Sequence, residues 1–169
     1  MPNHCECDLE IDGTPEEVAA FMEAVKEGDQ PFSCDKIIPY PEPYRSMDAK
    51  REQWKKDNPK DGPWYPEKDG FNSGGYEWCI ANWGMNWGAY DGVAYKRGNA
   101  QMISFRSAWS PPIPVMVAMA AKFPTMRFEL NYFEQGMEKC GTWAYQPKDE
   151  DQEAQITESH GKYAGHRGG

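Results

Sequence analysis

Residues 4–12 alternate without interruption between two kinds of side chain. Cys5, Cys7, Leu9 and Ile11 fall on one side of an extended chain. His4, Glu6, Asp8, Glu10 and Asp12 fall on the other, because successive strand residues point to opposite faces. Such a strand belongs in a sheet with one face packed and the other wet. Gly13 breaks it, and Thr14-Pro15-Glu16-Glu17 supplies the signals of a helix start. Thr14 is placed as N-cap, proline takes the first helical position, and Glu17 closes a capping box. Val18, Phe21, Met22 and Val25 follow at the i, i+3, i+4, i+7 spacing of a helix lying on that sheet, and Gly28 ends it.

The remaining elements follow the same logic. A brief extended segment is expected over 32–38. Residues 41–75 are rich in proline, glycine and balanced charge, with a surface helix near 47–56. This is too long for an ordinary connection, so it is either a functional insertion or a mobile excursion. Its aromatics (Trp54, Trp64, Tyr65, Phe71) predict packing against the body of the protein. A short helix spans 76–83, with Gly84 as its left-handed C-terminal residue. Strands at 92–97 and 101–107 join at Gly98-Asn99, a hairpin-type turn. Ser110 is expected to cap a helix whose first turn holds Pro111, Pro112 and Pro114. Ile113, Met116, Val117, Ala120 and Phe123 give that helix its buried stripe. Strands over 126–134 and up to about Tyr145 complete the set. Without the insertion and the last strand the order is βαββαβ, an α+β sandwich of the ferredoxin-like type over residues 1–145. Residues 146–169 hold almost no apolar side chains and read as a disordered polar tail.

Charge narrows the function. The net charge is −9, and residues 1–39 alone carry ten acids against two bases. That distribution argues against direct nucleic-acid binding, which draws its affinity from Lys and Arg. No stretch approaches eighteen apolar residues, so no membrane partner is expected. The first residues have neither the basic start nor the apolar run of a signal peptide. With five scattered cysteines, a reduced, cytoplasmic setting is expected.

Four kinds of site suggest themselves. Trp83, Trp87 and Trp109, with Asn82 and Asn86 as polar hooks, form either a stacking platform for a base, sugar or side chain, or simply core with each indole N–H bonded to a carbonyl. Glu6, Asp8, Glu10 and Asp12 form a row on a central strand. Arg106 and Arg127 project toward it by the same alternation, giving either a salt-bridge lattice or an acidic recognition face for a basic partner. His4-Cys5-Glu6-Cys7 suggests metal, but alternation parts His4 from both cysteines, so neither a metal nor another cofactor is expected. Catalysis has little to work with. His160 and His166 lie in the tail and His4 at the terminus, so no histidine stands where a triad would. Glu134, beside Tyr132, is the one candidate general acid or base. The expected reading is not an enzyme.

Several local patterns occur together and in order: Asn3-His4-Cys5-Glu6-Cys7 with Gly13, Ile38-Pro39-Tyr40-Pro41, Asn82-Trp83-Gly84 followed by Trp87, and Ala108-Trp109-Ser110-Pro111-Pro112. With Tyr132, Glu134, Gly136 and Gly141 behind them, residues 3–145 resemble the YubB ferredoxin-like family, accessory proteins of plasmids, phages and pathogenicity islands. That resemblance implies the ferredoxin-like fold and a mobile-element origin, but no chemistry. The chain departs from the family pattern at Met85-Asn86 and Gly88, where Thr-Lys and an acidic residue are usual; a lysine-based role there does not carry over. The expected function is therefore a non-catalytic binding protein of a mobile element. It would act by protein–protein contact through the acidic face on a host protein, in the specific version by inhibiting a defence or nucleic-acid-handling complex. The rival readings are a small-ligand or single-stranded nucleic-acid binder using the tryptophans, and an enzyme acting through Glu134.

Overall fold

The computed structural model describes residues 3–59 and 66–162. The opening alternation forms β1 (His4–Asp12), followed by α1 (Pro15–Val25), α2 (Cys34–Ile37), α3 (Glu42–Asp57) and α4 (Gly75–Trp83). The hairpin strands β2 (Tyr90–Arg97) and β3 (Ala100–Ala108) come next, then α5 (Ile113–Lys122), β4 (Arg127–Glu134), β5 (Lys139–Gln146) and β6 (Gln155–Lys162). The six strands form one sheet in the order β2-β3-β1-β4-β5-β6, each pair antiparallel. Its first four strands have the ferredoxin-like order, and β5 and β6 extend the sheet past it.

β1 is central, and its register decides which residues share a face. Cys7 stands between Phe105 and Tyr132, and Leu9 between Ile103 and Leu130, all on the helix-covered side. The capping box at Thr14 and Glu17 forms as expected and starts α1, which lays Phe21 and Val25 on that surface. Phe21 meets Phe123 and Phe128 at ring separations of 5.0 and 5.3 Å, while Phe32 stacks on Phe105 at 4.9 Å. A buried aromatic of this size dominates the local packing energy.

Four local expectations are corrected, the first being Val117, which is exposed rather than part of the buried stripe of α5. Residues 34–37 form the single turn α2 rather than an extended segment, with Cys34 and Ile37 directed into the core. Ser110 does not cap α5: the helix starts after Pro112, and the Ser110 hydroxyl donates instead to the Gly84 carbonyl at 2.6 Å. The stretch read as a disordered tail contains β6, which pairs along its length with β5 although every one of its residues is exposed.

The insertion is ordered where it is described. α3 buries no residue, and polar ties dock it: Arg45 on Asp35 at 2.7 Å, Arg51 on the buried Asp69, and the Tyr40 hydroxyl on Asp48 at 3.2 Å. Trp54 is half-buried and Phe71 packs on the core, whereas Trp64 and Tyr65 lie outside the described residues.

The β5–β6 extension depends on Gly141. A Cβ added there would collide with the Tyr132 hydroxyl and with the Ser159 backbone oxygen on β6. Gly141→Ala is therefore expected to destabilise the protein by about 1–3 kcal/mol in urea denaturation, as overpacking does. Amides of residues 157–161 should also lose hydrogen-exchange protection, and an unchanged midpoint with unchanged protection would refute this packing.

Candidate functional site

The helix-free side of the sheet gathers the even-numbered side chains of β1 with their neighbours. Glu6 stands beside Arg106, Asp8 between Ser104 and Asn131, Glu10 beside Glu129, and Asp12 beside Arg127. The row is interleaved with arginines. Arg106 approaches Glu6 at 3.9 Å and Asp91 at 3.2 Å, Arg127 bonds Glu10 and Glu129 at 3.4 and 2.9 Å, and Arg97 also pairs with Glu10. Ser104 donates to Asp8 at 2.5 Å. The lattice reading thus holds at Glu6 and Glu10, where Arg97 joins the two arginines expected from the sequence. Among the described residues carboxylates still exceed arginines on this face, and Asp12 is exposed.

The three tryptophans do not form one platform. Trp83 is 6% exposed and donates its indole N–H to the Ile38 carbonyl at 2.9 Å, the core arrangement. It packs on Trp78 and Tyr40. Trp87 is half-buried and lines a cavity with Trp83, Cys34 and Cys79, away from Trp109. Asn82 bonds back to the Trp78 carbonyl at 2.9 Å within α4, and Asn86 is half-buried beyond that helix. His4 bonds Tyr90 at 2.6 Å on the helix-free face, opposite the buried Cys5 and Cys7, and among the described residues no cluster suited to a metal ion forms. Burial pushes the Cys34 and Cys79 thiols up, to about 12 and about 11, so neither is a poised nucleophile.

Trp109 belongs to another site. Its φ of +71° lies in the left-handed region, where an aromatic residue is strained by roughly 1–2 kcal/mol. Its neighbours hold it there. The Trp109 N–H donates to the Asn3 carbonyl at 3.0 Å, and Ser107 donates to the Ser110 carbonyl at 2.7 Å. Gly84, at φ +75°, ends α4 against Pro114, which brings the α4 end and the α5 start together. The result is a cavity of about 540 Å³ on the helix-bearing side, walled by Trp109, Pro111, Ile113, Pro114 and Met137. Its other wall is the extension of the sheet.

That second wall is polar. Tyr132, 4% exposed, bonds the His160 Nδ1 at 2.7 Å, and the His160 Nε2 lies 3.4 Å from Glu158. In the tautomer that turns Nε2–H toward the carboxylate, Nδ1 accepts from the phenol. His160, set aside in the sequence as part of a tail, therefore stands in a carboxylate–imidazole–hydroxyl series, because β6 carries it there. The signal available was the i, i+2 spacing of Glu158 and His160, which places both on one face. Burial, with the Glu158 charge adding to it, pushes the Tyr132 hydroxyl up to about 12. Glu134 is 1% exposed, and its carboxylate accepts the N–H groups of Gly136 and Met137 at 2.9 and 2.6 Å. It fastens the β4–β5 turn that forms one end of the cavity.

Comparison with known proteins concerns this same region. Residues 82–165 match the model of the family described as a ferredoxin-like domain in Api92-like protein. The matched stretch contains every residue lining the Trp109 cavity and excludes β1. The crystal structure of protein api92 from Yersinia pseudotuberculosis is similar, with a TM-score of 0.52 at 12% identity, covering 98% of this chain and 99% of that one. At that identity the likeness is one of fold. No curated protein matches the chain.

The raised Tyr132 hydroxyl has a pH signature. Its ordinary value is 10.0 and its folded value about 12, so the folded state holds the proton more tightly. The stability it contributes is complete below pH 10 and lost as pH rises to about 12. Tyr132→Phe is expected to cost about 1 kcal/mol at neutral pH through the lost hydrogen bond. It should also flatten the stability profile across that alkaline window. Urea denaturation of both proteins over a pH series checks this; parallel profiles would contradict it.

Proposed function

We propose that this is a non-catalytic binding protein that acts by protein–protein contact through the helix-free face of the sheet. The observation that carries the reading is the carboxylate excess around β1. Glu6, Asp8, Glu10 and Asp12, with Asp91 and Glu129, outnumber Arg97, Arg106 and Arg127 on a face that no described helix covers. The arginine pairs do not close that face to a partner. Exposed ion pairs are worth about 0–1 kcal/mol each, so a partner's basic groups can exchange with them at little cost. At the β2 edge, Val93 is 60% exposed and Tyr95 lies beside it in the same register, supplying apolar contact next to the charges. The partner this surface fits is a protein with a basic patch.

The resemblance to the YubB ferredoxin-like family supports a more specific reading, in which the protein is encoded by a mobile element and its target is a host protein. A defence or nucleic-acid-handling complex carries the basic surface that such a face would occupy, and the contact would take place in the host cytoplasm.

Neutralising Glu6, Asp8 and Asp12 together (Glu6→Gln, Asp8→Asn, Asp12→Asn) tests the face while leaving Glu10 with its arginines. Crosslinking in host cells is expected to join the parent protein to targets with basic surfaces, in a salt-sensitive manner, and the triple variant is expected to lose them. Identical capture by parent and variant would contradict the proposal, as would targets that carry no basic patch.

A further inference from the structure

The Trp109 cavity lies on the opposite side of the sheet from the proposed contact face and is built from different residues. Its size falls within the range of small-molecule sites. The absence of a side chain at Gly141 gives Tyr132 room to lie against β6 and reach His160. Trp109 is 38% exposed, and three hydrogen bonds around its loop hold its backbone in an unfavourable conformation with the indole at the cavity. Strain held in place by surrounding bonds points to a function for the strained residue.

Charge selects among ligands. Glu158 is 37% exposed in the polar wall, and Glu134 is buried behind the turn. An anionic ligand would meet the Glu158 carboxylate. A neutral ligand would strip water from Glu158 without replacing it. Lys139, on the rim, is exposed, and water and salt weaken its charge there. An aromatic face beside a carboxylate is the combination that favours a cation with an apolar body, above all when the cation sheds water on binding. We propose that the cavity formed by Trp109, Pro111, Pro114, Met137, Tyr132 and Glu158 binds an organic ammonium cation of the quaternary or methylated kind. The indole lies against the methyl groups, and Glu158 supplies the counter-charge.

Choline and its uncharged isostere, in which a quaternary carbon replaces the nitrogen, are the probes. Each is titrated into the full chain while the indole N–H resonance of Trp109 is followed by NMR, its assignment made with Trp109→Phe. Choline is expected to shift that resonance saturably, with an affinity about tenfold above that of the isostere. Glu158→Gln, an exposed change on the edge strand, is expected to abolish the preference. Equal binding of the two probes would overturn the proposal in favour of an apolar pocket indifferent to charge. Failure of choline to saturate would overturn it outright. A choline preference that persists in Glu158→Gln would remove Glu158 from the site and with it the proposed recognition.

Discussion

The structure depends on the burial of one side of β1 between two neighbours. Hydrogen-bonded to β3 on one edge and to β4 on the other, β1 has no freedom of register. A slip of one residue would drive Glu6, Asp8 and Glu10 under the helices and expose Cys5, Cys7, Leu9 and Ile11. Burying unpaired carboxylates costs several kcal/mol each, so the sorting of the two sides is strongly enforced. The same constraint that makes the core also puts the acids of β1 together on the uncovered face.

The second site arises from an addition to that frame. The strands β5 and β6 carry the sheet beyond the ferredoxin-like order, and the cavity forms where this extension meets the ends of α4 and α5. Glu158 and His160 reach it only because β6 pairs with β5. Two features hold the walls in place: the Glu134 carboxylate in the β4–β5 turn, and the Ser110 bond to Gly84. The sheet thus has a charged face on one side and a walled cavity on the other. The proposed functions use one each.

The sequence revealed most where a single physical pattern acted alone. The period-two alternation of β1, the capping box at Thr14 and Glu17, and Gly84 at the end of α4 are local signals that tertiary contacts did not override. β6 was hidden because none of its residues is buried, so no apolar alternation marks it; pairing with β5 makes it a strand. The roles of the tryptophans were hidden for a related reason. Trp83 and Trp109 look alike in sequence, and only the fold sends one to a core carbonyl and the other to a cavity rim. For the acidic row, alternation gave the face correctly but missed Arg97, whose approach to Glu10 depends on the β2–β3 register.

Residue-resolved native-state hydrogen exchange tests the central position of β1 most directly. The amides of residues 5–11 should exchange more slowly than any others in the sheet, opening only with global unfolding, while those of β6 should exchange fastest among the strands. Exchange in β1 as rapid as in β6 would contradict the account, because the strand could not then be the buried axis that separates the two sides.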